Sequence, residues 1–106
     1  MISEERTEAA VEYLRDSAKQ YGKLRGSMEY CDANLRRVKS LEMLGKPGSL
    51  GDREAAAYAS DAYLKAMTAL ENVTAEYETI RALREAAIYT IETWRSQNST
   101  RKQGHV

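Results

Sequence analysis

The stretch Asp52–Gln97, DREAAAYASDAYLKAMTALENVTAEYETIRALREAAIYTIETWRSQ, decides the fold. It contains no Pro and no Gly. Apolar or small residues recur in alternating steps of three and four: Ala56, Ala59, Tyr63, Ala66, Leu70, Val73, Tyr77, Ile80, then Ala87, Ile91 and Trp94, with Arg84 the only interruption. A heptad stripe sustained this far predicts one long helix lying against another.

Just upstream, Gly45-Lys46-Pro47-Gly48-Ser49-Leu50-Gly51 gathers three glycines and the only proline and reads as a turn. Ser49 with Asp52 has the spacing of a capping box. Before the turn, Ser3 is an N-cap candidate, and Glu4, Glu5 and Glu8 place negative charge where a helix dipole favours it. From there a second stripe runs through Ala10, Leu14, Ser17, Tyr21, Leu24, Met28, Cys31, Leu35 and Val38, widened by Val11, Ala18 and Leu41. Leu44-Gly45 reads as its C-cap, with Pro47 following. Gly22 and Gly26 lie inside this helix, each costing about 1 kcal/mol relative to Ala, and mark where it would kink or break.

So short a turn makes its flanking helices antiparallel neighbours. The expected fold is all-α: a coiled-coil-like antiparallel two-helix hairpin in one domain, residues 1–106. Its expected parts are a helix over 3–44, a turn over 45–51, a helix over 52–97 and a mobile polar tail over 98–106. Centring the turn near Pro47-Gly48 pairs Leu35 with Tyr63, Met28 with Leu70, Tyr21 with Tyr77 and Leu14 with Arg84. At the far end Ile88, Ile91 and Trp94 face Thr7, Ala10 and Val11, which match their bulk poorly.

Composition narrows the classes of function. Sixteen basic and sixteen acidic residues cancel, which argues against coating nucleic acid through bulk charge. Phe is absent, and seven Tyr and one Trp supply the large rings, favouring a thin, partly wet interface. The single Cys31 excludes an internal disulfide. No window approaches the roughly 18 apolar residues of a transmembrane helix, and the acidic start does not resemble a signal peptide. A cytoplasmic location, with no membrane partner, is expected.

Charge is segregated along the chain. Residues 1–14 hold one basic and four acidic groups, residues 15–46 eight and four, residues 52–92 four and eight, and residues 93–106 three basic groups alone. In a hairpin each segment lies beside one of opposite sign, so the pattern is expected to set intrachain register.

Catalysis finds no support. His105 is the only histidine and lies one residue from the end. There is no Glu-x-x-His pair, no Cys/His cluster and no phosphate-binding Gly loop. No catalytic residue, metal ligand or cofactor is expected. Two basic patches point toward nucleic acid: Arg36, Arg37, Lys39 and Lys46 near the turn, and Arg95, Arg101 and Lys102 beside Trp94, where rings and guanidinium groups could stack on bases. A solvated face with dipole-compensating cations explains both equally simply and is preferred.

The ending Thr93-Trp94-Arg95-Ser96-Gln97 on a long Ala-rich helix, followed by a short Ser/Thr/Arg tail, resembles small two-helix accessory and early proteins of tailed bacteriophages. That resemblance implies an accessory role in a host cell, including binding and inhibition of a host protein such as a defence or recombination factor. The expectation is a non-catalytic protein-interaction module. It would self-associate as a homodimer or higher oligomer through Tyr77, Ile80, Ile88, Ile91 and Trp94 and dock on a further protein. The alternative is a nucleic-acid-binding accessory using the two basic patches.

Overall fold

The computed structural model describes residues 1–104, so His105 lies outside the described residues. The described chain is all-helical: α1 (Glu4–Met43), α2 (Leu50–Tyr58) and α3 (Asp61–Gln103). The two long helices, α1 and α3, pack together. The chain divides into two compact units, one made of Met1–Gly22 with the chain from Glu78 on, the other of Lys23–Tyr77.

Helix α1 starts as its sequence predicts. The Ser3 hydroxyl accepts from the Arg6 N–H at 3.2 Å, and the Ser3 carbonyl accepts from the Thr7 N–H and hydroxyl. Of the kink or break expected near Gly22–Gly26, the break does not occur, and α1 is one continuous helix. Glycine lowers helix propensity but keeps its N–H donor, so packed residues on either side carry the helix across it. Gly45, with φ +73°, ends the helix as expected, in the left-handed region that glycine enters without penalty.

The single helix expected over 52–97 is instead two. The Ser49–Asp52 capping box forms with both bonds, at 3.2 and 3.3 Å, and α2 begins at Leu50. It ends at Tyr58 with Ala59 as its C-cap, and there the Ser60 hydroxyl intervenes: it donates to the Ala57 carbonyl at 2.7 Å and accepts from the Tyr63 N–H at 3.2 Å. Ser60 thus caps α3, with Asp61 in the first turn. The break changes the phase of the stripe. Ala56 and Ala59, expected on the seam, are exposed, and Ala57 is fully buried in their place.

The tail expected from 98 on is helical to Gln103. Asn98-Ser99-Thr100 does not stop the helix, because the Thr100 hydroxyl bonds back to the Ser96 carbonyl at 3.0 Å and no Gly intervenes before Gly104. Arg101 and Lys102 lie in the last turn, where cations offset the dipole.

Within each unit the core is thin. The Met1–Gly22 and Glu78-onward unit buries Thr7, Ala10, Ser17 and Ala87, and the Lys23–Tyr77 unit buries Leu24, Ala57 and Ala66. No large side chain among the described residues is fully buried. The remaining stripe positions, Leu14, Tyr21, Met28, Cys31, Leu35 and Val38 on α1 and Tyr63 to Trp94 on α3, are half-buried apart from buried Ala66 and Ala87.

A Cβ built on Gly22 or Gly26 meets nothing within 4 Å. Gly22→Ala and Gly26→Ala are therefore each expected to stabilise the chain by about 0.5–1 kcal/mol, through helix propensity and a less flexible unfolded state. Thermal melts followed by circular dichroism check this; a fall in melting temperature for both would contradict it.

Candidate interaction surface

In the unit formed by Met1–Gly22 and the chain from Glu78 on, α1 and α3 run antiparallel. The Ile2 N–H donates to Gln97 Oε1 at 2.9 Å, and Arg84 reaches α1 near Leu14, as the expected register requires. Arg84 breaks the apolar stripe for a physical reason. Its Nη1 donates to the Leu14 carbonyl at 2.7 Å and to the Ser17 hydroxyl at 2.8 Å. The Ser17 hydroxyl in turn donates to the Tyr13 carbonyl at 2.6 Å, and the guanidinium lies 4.9 Å from the Tyr21 ring centre. Sequence reasoning missed this network. The signal available to it was Ser17, a small hydroxyl residue on the α1 stripe close to the position paired with Arg84.

Trp94 sits half-buried between two open grooves. One, of about 520 Å³, is lined by Met1, Ile2, Ser3, Glu4, Gln97, Asn98 and Arg101 together with the indole. The other, of about 350 Å³, is lined by Glu4, Thr7, Glu8, Val11, Glu12 and Arg15, again with the indole. Val11 and Ile88 stay 40 % and 43 % exposed, so the bulk at this end is only partly covered. A third groove, of about 330 Å³, runs between Arg6, Ala9, Ala10 and Tyr13 of α1 and Leu83, Ala86, Ala87 and Thr90 of α3.

The five expected apolar contact residues are not equivalent. Ile80, Ile91 and Trp94 are half-buried on α3, Ile88 is exposed, and Tyr77 belongs to the Lys23–Tyr77 unit and is half-buried there. The expected basic contacts also divide. Arg37, Lys46, Arg95, Arg101 and Lys102 are exposed, and Arg36 holds Asp32 at 2.6 Å on the surface. Lys39 is occupied: its ammonium lies 4.7 Å from the Tyr58 ring centre and 3.8 Å from Glu54. Its pKa is raised above the ordinary lysine value, first by the hydrogen-bonding Tyr58 side chain and less by the Glu54 charge, against a desolvation that lowers it. Tyr58 in turn meets Tyr63 edge-on, with ring centres 5.2 Å apart. Lys39 therefore fastens α1 to α2 and is a poor candidate for a phosphate contact.

The acidic beginning and basic end of the chain do not pair as their charges suggest. Among the described residues the ion pairs are Arg25–Glu29, Arg36–Asp32, Lys39–Glu54, and Arg81 with Glu78 and Glu85. The Arg81 guanidinium is raised further by Glu78 first and then Glu85. None of these joins Glu4, Glu8 or Glu12 to Arg95, Arg101 or Lys102. No group of three or more His, Cys, Asp or Glu among the described residues could hold a metal ion, and no described helix is long and apolar enough to cross a membrane. No protein-family model, characterised protein or solved structure matches the chain.

Removing the Arg84 network with Arg84→Ala is expected to cost about 2 kcal/mol, the scale of hydrogen bonds made by a charged donor. Arg84→Leu restores the apolar stripe and is expected to cost less, or to raise the melting temperature, since apolar replacement of buried charge is often neutral or better. Denaturant titration of both variants decides; equal losses would show that apolar bulk cannot replace the guanidinium's hydrogen bonds and would contradict this ranking.

Proposed function

We propose that this chain is a non-catalytic helical interaction module, built as a hairpin of long arms, that self-associates and docks on another protein as an accessory or inhibitor. The observation carrying this reading is Trp94, a large amphipathic ring left half-buried between two open grooves at one end of α3. Large rings at partly open sites supply much of the energy of protein contacts. Val11, 40 % exposed, adds apolar area beside it in the second groove. The resemblance to small phage accessory proteins makes the cytoplasm of a host cell its setting, and a host defence or recombination factor the kind of protein it would bind. Trp94→Ala is expected to lower the mass measured by light scattering and to abolish capture of a partner on wild-type bait. Unchanged mass and unchanged capture would sink the reading.

A second reading is favoured by the exposed cations at the end of α3. Arg95, Arg101 and Lys102 are exposed, form no ion pair among the described residues, and follow Trp94 on one helix. If they contact nucleic acid, single-stranded or duplex DNA shifts the protein's mobility at about 150 mM salt, and changing Arg95 and Arg101 to Ala removes the shift. Absence of any shift at that salt eliminates this reading.

A further inference from the structure

We infer that the groove between Val11 and Trp94 is filled by the basic end of α3 from a second copy of this chain, reciprocally in a two-fold dimer. The inference rests on the self-association proposed above and names its contact.

Glu4, Glu8 and Glu12 recur every four residues along α1, and all three line this groove together with Val11 and Trp94. They span about 12 Å at 1.5 Å per residue. Like charges four residues apart on a helix repel one another. Arg15, the cation in the lining, forms no ion pair among the described residues, and neither do the three glutamates. The groove therefore sets three carboxylates against one cation beside an apolar floor.

The complement is carried by the same chain. Arg95 and Lys102 are exposed and seven residues apart, so they lie on one face of α3 about 10 Å apart along its axis. Residues 93–106 contain no acidic group. Ile88 lies seven residues before Arg95 on that face and is 43 % exposed. One copy thus presents an apolar side chain followed by two cations, and the groove offers an apolar floor beside a row of carboxylates. In a two-fold contact each copy supplies both halves, so the two charge patterns neutralise each other twice.

The thin core argues for the same occupant. Among the described residues the unit holding this groove buries only Thr7, Ala10, Ser17 and Ala87, so it has little apolar burial of its own and gains from covering Val11, Ile88 and Trp94. A copy of the chain is always present at the chain's own concentration.

The test is a charge swap in full-length protein, with mass read by sedimentation equilibrium and helix content checked by circular dichroism. Wild type is expected to be dimeric at about 50 mM salt and to dissociate about tenfold more readily at about 500 mM. Glu8→Lys with Glu12→Lys is expected to be monomeric, as is Arg95→Glu with Lys102→Glu, and an equimolar mixture of the two is expected to form a heterodimer. A dimer that persists in both variants but is lost on Trp94→Ala overturns this contact while leaving self-association standing. Monomeric variants whose mixture stays monomeric overturn it as well. A wild type that is monomeric at low salt overturns both this contact and the self-association it rests on.

Discussion

The Arg84 guanidinium crosses from α3 to the Leu14 carbonyl and the Ser17 hydroxyl in a part of the seam where every buried residue is small. Thr7, Ala10, Ser17 and Ala87 bring little area out of water, so burial there is weakly selective about which residues stand opposite one another. A directional bond to one carbonyl and one hydroxyl is selective. A slip by one heptad would strand a half-buried guanidinium away from both acceptors, a cost that simple loss of Ala–Ala contact does not carry. The polar residues on the two stripes thus set the register that the apolar ones leave loose, much as a single polar position does in a coiled coil.

Much of the seam was legible because heptad spacing depends only on helix geometry. Every α1 position from Ala10 to Val38 on the expected stripe is buried or half-buried, as is every α3 position from Tyr63 to Trp94. The widening residues Val11, Ala18 and Leu41 are exposed, because a seam of small side chains is narrow. The stripe failed at Ala56 and Ala59 because a stripe assumes an unbroken helix. Ser60-Asp61 is a start signal in the middle of an otherwise helical run, hidden by heptad spacing that continues across it without Pro or Gly. Ser60 satisfies both sides of the break with one hydroxyl, a local chemistry that periodicity does not register.

Charge was the less readable layer. Segment totals suggested pairing between the helices, yet among the described residues four of the five ion pairs are local, three or four residues apart on one helix, and only Lys39–Glu54 joins two helices. Long exposed side chains lose entropy on pairing and gain little in water, so they take the nearest partner a helix offers. Lys39 illustrates the limit: its place in a basic cluster suggested a phosphate contact, whereas the Tyr58 ring and Glu54 hold it inward. The candidate surface was legible in part. Trp94 was identifiable as bulk without a matching partner, but the groove walled by Glu4, Glu8 and Glu12 depends on where α1 lies against α3.

Small residues at a helix contact let the two backbones approach, and the larger side chains are then displaced to the flanks. In the unit that carries Trp94, the buried positions are hydroxyl residues or alanines, while Val11, Leu83, Ile88 and Tyr89 stand 40 % to 70 % exposed. Thin core and apolar flanks are consequences of the same choice of residue at Ala10 and Ala87. Enlarging either alanine would overpack the contact at a cost of about 1–3 kcal/mol and force the helices apart. Because Ala10 and Ala87 also line the groove with Tyr13 and Leu83, the displacement would reshape that flank at once. In this unit the packing that joins α1 to α3 and the shape of that flank are governed by the same few small side chains, and neither can be changed without the other.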